Sequence, residues 1–259
     1  MSADLLALYD VDERFSATYP DSRREELPAL VRHVDLVGTS SAVIYSRLTP
    51  ESMDTAIAEQ VAYFASLGHD FEWKAYAHDQ PPDLAAHLAA HGFAAEETEA
   101  ILVLDLQTTH PAPEAPSRVR RITRREELGD LVTVKERVYT KDVKRLVDRL
   151  TFELEHVPDA ISLYVAYQNG APAACGWIRF PTSSAFASLW GGSTVPEARG
   201  RGLYTDLLSV RVQEAIGRGF RYLTIDASSM SRPIVERRGF RVLTFATPWM
   251  WFTRAPQGG

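Results

Sequence analysis

The chain has 259 residues, 45% hydrophobic and 24% charged, with 28 Lys and Arg against 34 Asp and Glu for a formal net charge of −6. This is an ordinary globular composition, long enough for one large domain or two of about 100–150 residues. Its acidic balance speaks against a general nucleic-acid binder, which needs clustered cations, and a single cysteine, Cys175, excludes an internal disulfide framework and fits a reducing compartment.

The opening MSADLLALYDVDERF carries acids early and lacks a basic segment followed by a long apolar one, so no signal peptide is expected. No apolar run approaches the ~18 residues of a membrane helix. A cytoplasmic protein without membrane association is the expectation. AVIYSRL reads as a strand leading into TPESMDTAIAEQ, where Thr49 or Ser52 caps a helix that Gly68 closes. FEWKAYA is a strand, PPDLAAHLAAHGF a short helix ending in Gly-Phe, and EAILVLDL a strand. His87 and His91 stand four apart, a spacing that could chelate a metal from one helix face. No third ligand accompanies them and the Glu of a zinc-protease motif is missing, so no metal site is expected.

Three prolines within six residues of QTTHPAPEAPSR mark an extended linker. It divides the chain into an N-terminal domain, 1–108, a linker, 109–118, and a C-terminal domain, 119–259. Beyond it, residues 124–156 read as two helices with a break near Tyr139–Asp142. Asn169–Gly170 between two β-rich runs is a strong hairpin signal. APAACGWIRF makes Cys175 a small core residue on a strand rather than a nucleophile. SAFASLWGGSTV is a further strand, in which Gly191–Gly192 marks a bulge or a close backbone approach. Tyr204, Leu208, Val212 and Ala215 then recur at helical spacing, and Gly217 and Gly219 end that helix. YLTIDAS is a strand, SRPIVERRGF a short helix with Pro233 in its first turn, and RVLTFATPWMWF a final strand pair with Trp249 and Trp251 on one face.

The order helix, Gly, strand, short helix, Gly-Phe, strand occurs in both halves, with Gly92–Phe93 matching Gly239–Phe240. This is a remote internal duplication of pattern rather than of identity. Only the second half has a glycine-rich stretch before its long helix.

That stretch, TVPEARGRGLYTDLL, places consecutive backbone N–H groups at a helix N-terminus. These donors lack partners within the helix and the dipole is positive there, so the site favours an anion. Glycine removes the Cβ that would hold a phosphate off, and Arg199 or Arg201 adds charge-assisted hydrogen bonds. A surface turn with solvated arginines is the alternative. A P-loop is excluded because Gly-Leu-Tyr stands where Gly-Lys-Ser/Thr is required. A dinucleotide site would prefer Gly-x-Gly-x-x-Gly on a first strand.

The segment from Thr194 to Phe240 resembles the GNAT superfamily of N-acetyltransferases, whose acetyl-CoA pyrophosphate loop reads Arg/Gln-x-x-Gly-x-Gly/Ala. Arg199, Gly202 and the preceding Val195-Pro196-Glu197 carry the likeness, and ERRGF is similar to the family's EKLGF-type ending. The element order from about 119 to 254 agrees. The duplicated layout resembles tandem GNAT proteins with a degenerate first half. The resemblance implies an α+β fold with a mixed, mostly antiparallel central sheet flanked by helices, present twice. It implies direct acetyl transfer from acetyl-CoA to a primary amine of a small molecule or peptide. In that reading Ser193, Thr194 and Val195 line the pantetheine arm, with donors near Ser193–Thr194 polarising the thioester carbonyl. Arg199, Gly200, Arg201, Gly202, Leu203, Tyr204 and Thr205 form the cofactor loop.

Three positions depart from the family pattern: Tyr204 replaces the small last residue of the loop, Val235 stands where a tyrosine commonly acts as general acid, and Ser228 or Ser231 replaces an asparagine. The base candidates are Asp226, Glu153 and Glu155, each alternatively a surface or capping carboxylate. Ser228, Ser231 and Tyr204 are candidates for protonating the leaving thiolate, and either serine could instead cap the helix at Pro233. A CoA-binding sensor or regulatory module without catalysis is the competing reading. The acceptor and the oligomeric state are not legible.

Overall fold

The computed structural model describes residues 3–36, 38, 40–109, 116–139 and 143–253. Residues 110–115 of the expected linker and 140–142 of the expected helix break lie outside the described residues. The chain divides into two compact units, Met1–Leu102 with Ala227–Gly259, and Val103–Asp226. The final segment therefore groups with the N-terminal elements rather than with the residues that immediately precede it.

The chain opens with α1 (Ala3–Tyr9), which runs into a π-helical turn at Asp10–Phe15. Then come β1 (Ser22–Leu27), β2 (Leu30–Asp35), β3 (Ser40–Ser46), α2 (Met53–Leu67), β4 (Asp70–Tyr76), α3 (Leu84–Ala90), β5 (Ala94–Ala95) and β6 (Glu99–Asp105). They are followed by β7 (Val119–Ile122), α4 (Leu128–Val138), α5 (Lys144–His156), β8 (Ile161–Gln168), β9 (Ala171–Arg179), β10 (Phe186–Thr194), α6 (Leu203–Gly217) and β11 (Tyr222–Ala227). The short α7 (Arg232–Glu236) and β12 (Arg241–Trp251) end the described chain.

In the first unit the strand order is β1-β2-β3-β4-β12-β6, antiparallel at β1–β2, β2–β3 and β4–β12 but parallel at β3–β4. In the second unit it is β11-β10-β9-β8-β7, antiparallel except at β10–β11. Each parallel pair is bridged by one 15-residue helix, α2 or α6, as a parallel connection requires. Each unit thus holds the same strand–helix–strand crossover within an otherwise antiparallel sheet. The two Gly-Phe signals close their short helices identically: Phe93 N–H donates to Leu88 O and Phe240 N–H to Val235 O, both at the six-residue span of a Schellman ending.

The first unit's core follows from helical and strand periodicity. Met53, Ile57 and Phe64 form one stripe of α2, against Phe71 and Trp73 two apart on β4, with the Phe64 and Phe71 rings 4.4 Å apart. Trp249 and Trp251 pack against this same cluster, which makes them core residues of the strand face. The expected terminal strand pair is instead one 11-residue strand. Pro248 does not break it: opposite Lys74 it needs no N–H, and its carbonyl still accepts from Glu96 N–H at 2.8 Å. His87 and His91 both reach one carboxylate oxygen of Asp54, at 2.8 and 3.0 Å. They serve as an α2–α3 polar clasp.

A buried cation anchors the π-helical turn. Arg14 is 1% exposed, pairs with Asp10 and Asp79 at 2.7 Å each, donates to Ile44 O and lies 3.8 Å over the Tyr76 ring. Nearby, His33 is buried with Ser22 Oγ 3.0 Å from Nδ1 and no partner for Nε2 among the described residues. Burial, assisted by the Arg24 charge, pushes its pKa down to about 4. The folded chain refuses a proton that the unfolded chain accepts below about pH 6.5. Stability should therefore fall by about 2 kcal/mol between pH 6.5 and 5 from this group alone. Carboxylates held low by their partners, such as Asp10 and Glu214, add their losses only at lower pH. Urea unfolding of His33→Gln across that window should show the slope removed; an unchanged slope would place it elsewhere.

The Asn169–Gly170 turn adopts φ values of 52° and 79°, the left-handed pair of a two-residue hairpin between β8 and β9. Cys175 is buried on β9 and its thiol is pushed up to about 11, as a core residue's would be. α4 buries Leu128, Leu131 and Val134, and α6 buries Leu203, Leu207, Leu208, Val210, Val212 and Ala215. Each of those apolar faces also contains one cation, Lys135 on α4 and Arg211 on α6.

Candidate functional site

In the second unit β10, the turn after it and the start of α6 follow one another directly. Pairing between β9 and β10 runs from Trp190↔Trp177 to Ser193↔Cys175, so β10 carries one extra residue at Gly191–Gly192. Gly191 has φ 64°, and a Cβ there would lie 1.9 Å from the Trp177 ring. No other residue fits. A Cβ on Gly192 would meet the Tyr204 ring at 2.8 Å. The bulge is therefore built for backbone to pass close to two aromatic rings, and it interrupts the ladder where Gly191 and Gly192 would otherwise pair.

Lys135 reaches this bulge from α4. It is 4% exposed, and Nζ donates to Gly191 O and to Ser193 Oγ, each at 2.8 Å. The ammonium also lies 5.0 Å from the Trp177 and Tyr139 ring centroids. Its sequence neighbours carried the signal: Lys135 falls four after Leu131 and seven after Leu128, on the core face of the helix. Arg211 shows the same anomaly on α6. It is 1% exposed, donates through Nε to Leu207 O and through Nη1 to Trp177 O, and has no partner for Nη2 among the described residues. Burial pulls its pKa down, opposed by Tyr204, Cys175 and Tyr164. The same burial raises that of Tyr204.

After Val195, which is buried, Pro196–Ala198 make one 3-10 turn, and Arg199 Nε donates back to Thr194 O at 3.3 Å. Gly202 is the N-cap of α6, with φ 81° and ψ 0°, a left-handed conformation that lets the chain turn directly into the helix. The helical ladder starts with Asp206 N–H to Gly202 O. The amides of Leu203, Tyr204 and Thr205 lie ahead of that bond, at the positive end of the helix. Arg199, Gly200, Arg201 and Gly202 are exposed, whereas Leu203 is buried. A second cation overlooked by motif reading stands here: Arg118 Nη2 donates to Arg201 O at 3.1 Å, and its Nε pairs with Asp206 at 2.5 Å. The expected cofactor residues Ser193 to Thr205 thus form one continuous strand–turn–helix segment, exposed at Arg199–Gly202 and buried at Ser193, Val195 and Leu203.

The expected acid–base residues differ in their surroundings. Glu153 is 1% exposed and takes two hydrogen bonds from Arg179, at 2.6 and 3.0 Å, and one from Arg149 at 3.2 Å. Glu155 is exposed and 3.6 Å from Arg125. Asp226 ends half-buried on β11. Ser228 and Ser231 belong to the first unit, their hydroxyls 3.3 Å apart, where Ser228 O accepts the N–H groups of Ser231 and Arg232 and so shapes the start of α7. Val235 on that helix is fully buried. Among the described residues no group of three His, Cys, Asp or Glu is arranged to hold a metal, and no helix is long and apolar enough to cross a membrane.

Comparison with known proteins bears on the fold. The model of the acetyltransferase (GNAT) family matches residues 128–240. Among curated proteins none matches the sequence. A GCN5-related N-acetyltransferase from Kribbella flavida superposes with a TM-score of 0.69 at 15% identity, covering 100% of this chain and 96% of that one. A tandem GNAT protein from the clavulanic acid biosynthesis pathway gives 0.60 at 17% identity, over 93% and 86%. A GNAT-family acetyltransferase from Colwellia psychrerythraea gives 0.56 at 14%, over 95% and 94%. These likenesses establish a shared fold.

Proposed function

From a chain whose residues 128–240 match the model of the acetyltransferase (GNAT) family, we propose an acetyl-CoA-dependent N-acetyltransferase that moves the acetyl group directly to a primary amine of a small molecule or peptide, in the cytoplasm. The observation that carries this reading is the left-handed Gly202 opening α6 beside the Gly191–Gly192 bulge. A Cβ at Gly192 would fill the approach to the strand, and at Gly202 it would press on Arg118 at 3.3 Å. Such a cradle suits a pyrophosphate and an extended arm.

Acetyl-CoA would supply the activated acyl group and a thiolate leaving group. The amides of Arg201 to Thr205 would hold its pyrophosphate at the positive end of α6, with Arg199 and Arg118 adding charge. The bulge leaves β10 backbone groups near Ser193 and Thr194 for the pantetheine arm and the thioester oxygen. Holding donor and acceptor in line would supply most of the acceleration. Asp226 would receive the amine's proton, since both oxygens of Glu153 are engaged by guanidinium groups and Glu155 is an exposed partner of Arg125.

We further read the chain as a tandem duplication, 1–108 and 119–259, with a degenerate first copy. At the matching start of α2 stand Glu51 and Asp54 instead of glycines and arginines. Two carboxylates there satisfy the helix dipole themselves and repel a phosphate. One acetyl-CoA per chain is expected.

A CoA-binding module without catalysis is the second reading, favoured by the buried Val235 where an acid hydroxyl is usual. Calorimetry with acetyl-CoA, run beside a thiol-release assay over a panel of amines, separates the two. The transferase reading expects a stoichiometry near one and thiol release with some amine. Tight binding without turnover on any amine would favour the module, and no binding would overturn both.

A further inference from the structure

Lys135 and Arg211 are two cations buried in the core of the second unit without a carboxylate. All the polar partners of Lys135 are neutral: Gly191 O, Ser193 Oγ and two aromatic faces. The titratable groups around it are Cys175 on β9 and Tyr139 beyond its own helix, and those around Arg211 are Tyr204, Cys175 and Tyr164; Tyr164 and Tyr167 of β8 are bonded to Glu214 and Asp130. The other buried cations are matched: Arg14 by two aspartates, Arg179 by Glu153, Arg32 by Glu25. Burying a charge is costly unless something of opposite sign compensates it. Ammonium and guanidinium groups left uncompensated beneath one bulge make that bulge electropositive, and the N-terminus of α6 adds to the same field.

Resting on the acetyl-CoA reading above, we infer that Lys135 supplies the fixed positive charge that stabilises the leaving thiolate, in place of a hydroxyl acid. In the transfer, the amine nitrogen bonds to the acyl carbon while the carbon–sulfur bond breaks. The bonding pair leaves on sulfur, and the amine's proton passes to the Asp226 carboxylate. No proton need reach the sulfur while the product is bound, because the ammonium behind Ser193 balances its charge. Nζ lies one hydrogen bond, 2.8 Å, behind the strand edge along which the arm would run. An opposite charge within about 4–6 Å lowers a thiol's pKa by 1–3 units. Arg211 contributes from the far side of β9 with its unpaired Nη2.

The test reads the bound product rather than turnover. The thiol of CoA bound to the full chain is titrated by its thiolate absorbance, with desulfo-CoA-loaded protein as the blank. Cys175, pushed up to about 11, stays silent in the relevant range. The wild type should titrate at least about one unit below the ordinary thiol value of ~8.5. Lys135→Met should return the thiol toward that value, Lys135→Arg should keep it low, and Ser193→Ala, which retains the ammonium, should keep it low as well. A wild-type thiol at the free value overturns the inference, whether or not Lys135→Met folds. So does a folded Lys135→Met with the depression intact, or its loss in Ser193→Ala. If the wild type binds no CoA at all, the acetyl-CoA reading itself fails and takes this inference with it.

Discussion

Gly202→Glu abolishes acetyl-CoA binding in a protein that still folds: that is the expected result if the turn before α6 is a phosphate cradle. Two effects act together. Gly202 sits at φ 81°, where an L side chain costs about 1–2 kcal/mol. The added carboxylate would meet the Arg118 guanidinium, since a Cβ at this position already lies 3.3 Å from Nη2. It would satisfy the helix N-terminus and neutralise the cation that the pyrophosphate needs. The loss in affinity should exceed about 100-fold, or roughly 2.7 kcal/mol. Gly202→Ala carries the backbone strain without the charge, and a weakening of about tenfold is expected. The gap between the two variants isolates the electrostatic part. Equal binding by Gly202→Glu and wild type in calorimetry would reduce ARGRG to a surface turn.

That variant was legible in the sequence because backbone conformation was encoded locally. A glycine pair before an apolar-periodic run announces a left-handed turn into a helix, and the same is true of Asn169–Gly170 and Gly191–Gly192. The duplicated element order was legible for the same reason, since each helix and strand carries its own period. What was hidden is long-range. Nothing local tells that β12 pairs with β4, so the last strand joins the N-terminal elements. Arg118 lies 83 residues from the carbonyl it bonds. Lys135 was visible only as a lysine on an apolar helix face, a pattern that a snorkelling surface residue also gives. Its meaning depends on the bulge 56 residues away. RVLTFATPWMWF was expected as a strand pair and is one strand, because sequence does not reveal whether the partner strand requires the N–H that Pro248 lacks.

Glu153 shows the same limit from the opposite side, and its replacement is the second large effect. By type and helix position it could be a general base; by structure it is the counter-ion of a buried arginine. Glu153→Gln keeps the shape but leaves Arg179, 9% exposed, without its charge partner. Removing one member of such a pair typically costs about 3–5 kcal/mol. Urea unfolding should therefore show Glu153→Gln destabilised by that order, with thiol-release activity falling in proportion to the folded fraction. Stability loss alone does not exclude a catalytic role, so the pair is removed as a unit. Glu153→Leu combined with Arg179→Met replaces the ion pair by apolar groups, a change that is often neutral or stabilising. If stability and transfer both return, Glu153 holds the α5–β9 packing and takes no proton. If stability returns while transfer stays lost, with acetyl-CoA binding intact, Glu153 is the base and Asp226 yields that role.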